Sequence, residues 1–317
     1  MHPGVDFFPL LVVTVLAVAV PVLLHRIPRL SIPIVVGEIV AGIVVGPTGL
    51  DLITGANPYL DFLKLFGFAY LMFMCGLEID FRLLHTAERD ESAASRWPPG
   101  PLAMALVSFV AALAAAAACA LLLRRWGVVD NVLLMALVLS TTSLGVVAPV
   151  LKEHGMSRSR LGQYILVASV VADLATVTLV SVYVIFHTRG LTLDLFLVVG
   201  LLATAFLVYG LVKLAGRYVD LEELVDDLSH ATAQLDTRGA LALSVIFIAL
   251  AQVLGQEVIL GAFLAGAIVS LLSADEGSLL RPKLHALGYG FFIPIFFIMV
   301  GVDFDLRALL IAPHHGA

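Results

Sequence analysis

Residues 161–186 read LGQYILVASVVADLATVTLVSVYVIF, and this stretch contains a single charged residue, Asp173. It is predicted to form a membrane-spanning helix, because about 20 apolar residues at 1.5 Å per residue cross the hydrocarbon core of a bilayer. Asp173 lies twelve residues after Leu161 and thirteen before Phe186, so roughly 18 Å of helix flanks it on either side. The carboxyl group is therefore predicted near the middle of the membrane.

The whole chain has the composition of a membrane protein. Of its 317 residues, 61% are hydrophobic and 13% are charged, and the mean hydropathy is +1.05. A soluble domain is roughly half apolar and about a quarter charged, so a water-soluble fold is excluded. The net charge of -6 offers no basic surface, and the charged residues are confined to short segments, which argues against nucleic-acid binding.

Ten apolar segments are predicted to cross the lipid bilayer as helices, which makes the expected fold all-α and polytopic. With the N terminus outside, thirteen of the 18 basic residues fall on the cytoplasmic side, as the positive-inside rule requires. The predicted location is therefore the cell membrane, with an external N terminus. The segments are approximately Phe7 to Leu24, Ile32 to Val45, Phe62 to Leu77, Leu102 to Leu123, Val132 to Leu151, Leu161 to Phe186, Leu191 to Leu214, Ala240 to Leu254, Val258 to Leu272 and Leu287 to Val302.

Asp173 is the first candidate for chemistry. An ionised carboxylate at the centre of a bilayer costs about 2.5–3.5 kcal/mol on insertion scales, so such residues usually serve ion or proton pathways. Ser169 and Thr176, four residues before it and three after it, lie on the same helical face and are candidate supporting residues. The alternative is a neutral, hydrogen-bonded aspartic acid that holds neighbouring helices together.

The second candidate is a run of hydroxyl residues, Ser140, Thr141, Thr142 and Ser143, in the centre of the fifth segment. Side chains at four successive positions point all around a helix, so they cannot all face one partner. An unwound stretch resolves this conflict, and it exposes carbonyl groups and helix ends to an ion, as in secondary transporters. An intact helix whose hydroxyls bond to preceding carbonyls is the alternative.

Other residues receive structural interpretations. Cys75 and Cys119 lie inside apolar segments and are interpreted as packing residues. Gly42 and Gly46 are spaced for close helix packing, and packing within the chain is favoured over a dimer contact. Of the remaining polar residues, Glu38 is the most interior and is kept as a supporting site candidate. Solvation explains these residues better than ion binding does, because they lie near helix ends or on short helices: Glu38, Glu78, Asp80, Gln252, Glu257, Asp303 and Asp305.

Six motifs follow one another along the chain. They are IPIVVGEIVAGIVVGPTGL (32–50), LMFMCGLEIDF (71–81), LSTTSLGVVAPVLKE (139–153), GQYILVASVVADLATVTLVSV (162–182), LGQEVILGAFLAGAIVS (254–270) and GYGFFIPIFFIMVGVDFDL (288–306). In this order they resemble the membrane domain of the monovalent cation:proton antiporters, the bacterial sodium or potassium/proton exchangers. The resemblance covers most of the chain.

The resemblance implies a sodium/proton-antiporter fold with a broken helix and inverted repeats, in which a core domain moves like an elevator against a dimerisation domain. Residues 1–85 would contain the dimerisation-type helices, 100–190 the core ion-binding helices and 191–317 the second half. Asp173 matches the essential aspartate that binds a cation or a proton in turn, and Thr141 to Ser143 match the unwound stretch beside it. The implied protein is a homodimer that exchanges Na⁺ or K⁺ for H⁺, with no cofactor and no other metal.

Two departures from the family pattern matter. Many relatives carry Asp, Asn or Gln before the aspartate, whereas this chain has Ala172, so electroneutral exchange through one carboxylate is expected. Relatives also continue with further helices, so the last helices of the fold are expected to be missing. A transport-inactive, channel-like or regulatory protein on the same scaffold is therefore the alternative. No enzymatic activity is expected, because an intramembrane aspartyl protease needs two facing carboxylates and Asp173 has no partner at its depth.

Overall fold

The computed structural model describes residues 6–26, 32–53, 57–79, 101–157, 159–188, 234–254, 258–272 and 280–306, with positions 204 and 210. Within these ranges the regular structure is helical. The helices are α1 (Phe8–His25), α2 (Ile34–Val45), α3 (Pro58–Glu78), α4 (Pro101–Arg125), α5 (Val132–Ser140), α6 (Leu144–Glu153), α7 (Arg160–Thr188), α8 (Leu235–Val253), α9 (Val258–Leu272), α10 (Leu280–Leu287), a π-helical turn (Gly288–Phe292) and α11 (Ile293–Val302).

Among the described residues, six helical segments are long and apolar enough to cross a bilayer, whereas α2 and α9 are apolar but shorter. An all-α, polytopic membrane protein is therefore confirmed. The count of ten spans and the inverted repeat stay predictions, and the seventh predicted span lies almost entirely outside the described residues. The six segments are Phe8–His25, Pro58–Glu78, Ala103–Arg125, Val132–Glu153, Leu235–Val253 and Leu280–Val302.

The chain divides into two compact units. The first contains residues 1–74 and 276–315, and the second contains residues 75–275 with 316–317. The assignment of 1–85, 100–190 and 191–317 to dimerisation, ion binding and a second half stays a prediction.

The first unit is organised by the close contact of α2 with α11. A Cβ atom added at Gly42 would lie 2.0 Å from the carbonyl oxygen of Ile298, and one added at Gly301 would lie 2.0 Å from that of Ile39. Only glycine permits this approach of two backbones, and such contacts drive helix association in lipid. The predicted intramolecular role of Gly42 is therefore confirmed. Around the contact lies an apolar core of Val13, Val45, Ile53, Leu60, Ile295, Ile298, Met299 and Val302.

The second unit places α7 beside both halves of the fifth predicted span. In this unit α4 packs against α5 and α7, both α5 and α6 pack against α7, and α8 packs against α9. Side chains also hold the end of α3. Gln163 Nε2 on α7 donates to the Glu78 carbonyl at 3.0 Å, and Ser270 Oγ on α9 donates to the Ile79 carbonyl at 2.7 Å. These bonds supply donors to carbonyls at the end of α3, where the last carbonyls of a helix have no N–H partner within the helix.

Candidate ion-binding site

The fifth predicted span is broken at its hydroxyl residues. Helix α5 ends at Ser140 and α6 begins at Leu144, and the backbone between them is extended, with φ −69° and ψ 146° at Thr141 and φ −107° and ψ 92° at Ser143. The predicted unwinding is thus confirmed, and the alternative of an intact helix is wrong. Hydroxyl side chains favour this outcome because they offer the backbone hydrogen bonds outside the helical ladder.

Most hydroxyls of the break bond to backbone carbonyls. Ser140 Oγ donates to the Leu137 carbonyl at 3.0 Å, Thr141 Oγ1 to that of Thr142 at 3.3 Å, and Thr142 Oγ1 to that of Ser169 on α7 at 3.4 Å. The side chain of Ser143, at the N-cap position of α6, makes no capping hydrogen bond. The N–H groups of Val146 and Val147 in the first turn of α6 donate to the Ser143 carbonyl, so the N–H of Leu144, at the first position of the helix, needs another acceptor.

That acceptor is Asp173. It is the fourteenth of the 29 residues of α7, it is half-buried, and the backbone N–H of Leu144 is the hydrogen-bond donor to its carboxyl group. A helix N-terminus presents N–H groups and a partial positive charge, which together favour an anion. The fold thus places the predicted carboxylate at the N-terminal end of α6, where the predicted break leaves an N–H without a partner in the helix.

The supporting residues of α7 lie where the helical period predicts. Ser169 is 4% exposed and Thr176 is 7% exposed, and both share a face with Asp173 because three or four residues make one helical turn. The hydroxyl of Thr176 has no hydrogen-bond partner in the described part of the chain. The structure therefore brings together Asp173, Leu144 and the buried hydroxyls of α7.

Comparison with known proteins decides the family. The family described as "Sodium/hydrogen exchanger, transmembrane" matches residues 13–317. The chain belongs to this family. Its polytopic helical fold agrees with that membership, and the resemblance seen in the six sequence motifs is confirmed.

Three relatives of this exchanger-family chain span bacteria and archaea. YjbQ of Bacillus subtilis, named for Na⁺/H⁺ antiport, is 39% identical over 95% of this chain and 48% of its own length. A Methanocaldococcus jannaschii protein named for the same activity is 30% identical over 90% of this chain and 69% of its own length. KefC of Escherichia coli, named as a glutathione-regulated potassium-efflux system protein, is 29% identical over 90% of this chain and 43% of its own length. The chain thus spans about half the length of YjbQ.

One neighbour of the candidate site, Cys75, is not predicted by the sequence pattern. Cys75 is 1% exposed, its Sγ lies 4.0 Å from the Leu144 carbonyl oxygen, and it is close enough to Asp173 to interact electrostatically with it. The packing interpretation described its burial but not this location. The available signal was its position in the motif LMFMCGLEIDF, which the exchanger resemblance had already singled out.

The interpretation of Glu38 needs correction. The shortness of α2 predicts a solvated side chain, yet Glu38 is only 3% exposed. Glu38 lies one turn before Gly42, at which α2 meets the backbone of α11, so the short helix is covered by a neighbour. Glu38 belongs to the first unit and Asp173 to the second, and its supporting role stays a prediction. Asp303, in contrast, is exposed as expected and pairs with Lys64 Nζ at 2.5 Å.

Proposed function

We propose that this exchanger-family chain exchanges a monovalent cation, Na⁺ or K⁺, for H⁺ by alternating access, and that the two ions compete for Asp173. One observation carries the proposal: a half-buried carboxyl group in the middle of α7 accepts a hydrogen bond from Leu144 at the broken end of α6. The proposal also places the protein as a homodimer in the cell membrane with an external N terminus.

Competition for one carboxylate is sufficient for coupling. If Asp173 binds either a proton or a cation, each ion lowers the apparent affinity of the other by the same factor, as binding linkage requires. The Leu144 N–H and the partial charge of the α6 terminus favour the ionised carboxylate, which is the form that binds a cation. Alternating access then carries one ion in each direction without a separate gate for each.

The cations in this proposal are those that appear in the names of the relatives. YjbQ is named for Na⁺/H⁺ antiport and KefC for potassium efflux, so the proposal includes both cations. Electroneutral exchange follows from Ala172, the buried residue beside the aspartate, because a single carboxylate changes by one unit of charge.

The test is exchange in proteoliposomes. The purified chain is reconstituted, a pH gradient is imposed, and Na⁺, K⁺ or Li⁺ is added while a fluorescent dye reports the gradient. The wild type is expected to dissipate the gradient, Asp173→Asn to lose this activity, and the matched control Asp130→Asn, in the exposed turn after α4, to retain it. Gradient collapse unaffected by Asp173→Asn would contradict the proposal.

Stoichiometry needs a second measurement on the same vesicles. Na⁺-driven proton flux is measured with and without a membrane potential set by K⁺ and valinomycin. Electroneutral exchange predicts equal rates, so a rate that follows the potential would exclude one-for-one exchange. A cation current that needs no proton gradient would instead support the channel-like alternative.

A further inference from the structure

Thr176 differs from two other hydroxyl residues within helices, Thr14 and Ser108. Its Oγ1 is buried and has no hydrogen-bond partner among the described residues. Thr14 on α1, in contrast, donates to the Leu10 carbonyl at 2.9 Å and is also 3.0 Å from that of Leu11. Ser108 on α4 donates to the Ala105 carbonyl at 3.0 Å. These bonds to the preceding turn are the ordinary way in which a helix satisfies a hydroxyl in an apolar environment.

An unpaired buried hydroxyl is unfavourable, so its retention calls for a physical reason. Buried polar side chains are bonded in the large majority of cases, and an exception often marks a functional group. A threonine hydroxyl has two lone pairs. Neither lone pair of Thr176 Oγ1 accepts a hydrogen bond from the described residues, so the oxygen is available as a ligand for a cation.

The position of Thr176 agrees with such a role. It follows Asp173 by three residues, and Ser169, which is also buried, precedes Asp173 by four. Both hydroxyls therefore lie within one turn of the carboxylate on the same face of α7. Membrane ion sites replace the hydration shell of a monovalent cation with protein oxygens, and the number and geometry of those oxygens determine which ion is preferred.

We infer that Thr176 Oγ1 is a ligand of the transported cation and contributes to the selection among Na⁺, K⁺ and Li⁺. This inference rests on the proposed function, because it assigns a second oxygen to the site of Asp173. A proton on the carboxylate needs no such oxygen. Loss of the hydroxyl should therefore lower the affinity of the site for the cation and leave its affinity for the proton unchanged.

The experiment compares Thr176→Val with Thr176→Ser and with Thr14→Val, which makes the same substitution at a hydroxyl bonded to its own helix. The apparent KM of each cation and the maximal rate are measured in proteoliposomes at two pH values. Thr176→Val is expected to raise the KM of the preferred cation about tenfold, to change the KM ratios among the three cations and to leave the maximal rate within about twofold. Thr176→Ser should restore the wild-type KM, and Thr14→Val should not alter it.

The inference is overturned if Thr176→Val leaves all three KM values within about twofold of the wild type. It is equally overturned if only the maximal rate falls, since that pattern indicates a structural role. Should Thr176→Val fail to fold, Thr176→Ala is measured in the same way. If the wild type exchanges cations but these variants behave like it, only this inference fails and the proposed function stands.

A binding measurement covers the case in which the wild type shows no exchange, so that the proposed function itself fails. The thermal stability of the purified full chain is then compared with and without Na⁺, K⁺ or Li⁺, because a ligand that binds the folded state stabilises it. A cation-dependent increase that is present in the wild type and lost in Thr176→Val supports the inference. Equal increases in both proteins, or none in the wild type, overturn it.

Discussion

Among the described residues, two apolar segments depart from α-helical geometry: one is broken and extended, and the other contains a π-helical turn. In the second unit, the segment 132–153 is broken between α5 and α6. In the first unit, the segment 280–302 contains the π-helical turn Gly288–Phe292 between α10 and α11. Each departure releases backbone groups from the α-helical hydrogen-bond ladder. The difference lies in what those groups bond to.

The π-helical turn and the helix before it bond to and pack against neighbouring residues of the first unit. The N–H of Ile293 donates to the Gly288 carbonyl, and the hydroxyl of Tyr70 donates to the Leu284 carbonyl at 3.0 Å. Tyr70 is fully buried, and the ring of Phe292 lies 5.0 Å from that of Phe66 in an edge-on contact. Aromatic contacts of this kind stabilise the geometry. The described contacts of this turn are therefore structural.

At the break between α5 and α6, a backbone N–H bonds to an ionisable side chain instead. The N–H of Leu144 donates to Asp173, and the side chains of Thr141, Thr142 and Ser143 are accessible. The strength of such a bond depends on whether the carboxyl group carries a proton. In this protein, the distorted helix that is a candidate ion site is the one whose released N–H faces a group that changes charge.

The largest effect should come from removing the Leu144 donor. Leu144→Pro deletes one N–H at the first position of α6, where proline is tolerated, and the extended Ser143 before it suits a following proline. A hydrogen bond to a charged group contributes ~1.5–3 kcal/mol, so the apparent cation affinity in proteoliposomes should fall about tenfold or more.

Leu144→Ala is the matched control, because it removes the same buried side chain but keeps the N–H. Its cation affinity should stay close to that of the wild type. Equal losses in Leu144→Pro and Leu144→Ala would mean that packing, rather than the donor, explains the result, and the contrast between the two segments would disappear.

An intermediate effect, on stability rather than transport, is expected at the π-helical turn. Tyr70→Phe leaves the buried Leu284 carbonyl without its donor, which should lower the free energy of unfolding by ~1–3 kcal/mol, measured by denaturant titration in detergent micelles. Tyr59→Phe, at an exposed tyrosine of the same helix, is the control. If Tyr70→Phe instead abolished exchange without destabilising the protein, the turn would have to be counted as part of the transport machinery.

The smallest effect should follow from Thr142→Val. The Thr142 hydroxyl lies 3.4 Å from its acceptor, the Ser169 carbonyl, and hydrogen bonds at this distance are weak. The cation affinity in proteoliposomes should change less than about threefold, well below the change for Leu144→Pro. A larger change for Thr142→Val would show that side-chain hydroxyls, not the backbone N–H, dominate at the break.

Much of this arrangement could be predicted from local sequence. Asp173 is conspicuous because a charged residue in an apolar helix is rare and costly, and Ser140 to Ser143 predict the break because four hydroxyls cannot share one helical face. The π-helical turn was not predicted, since GYGFFIPIFF reads as a continuous apolar segment. Tyr70, whose ring lies 5.3 Å from that of Phe292 in this turn, is more than 200 positions away in the chain.

Local sequence is enough to predict a helical membrane protein, a carboxylate within an apolar helix and the place at which the fifth segment unwinds. These depend on hydropathy, helical period and neighbouring side chains, all of which are local. Three features depend on the packing of distant segments: Asp173 accepts the Leu144 N–H, Cys75 lies beside both, and Glu38 is buried. Almost every residue has a backbone N–H, so residue identities do not show which N–H will face a carboxylate. Burial, in turn, depends on which helices pack together.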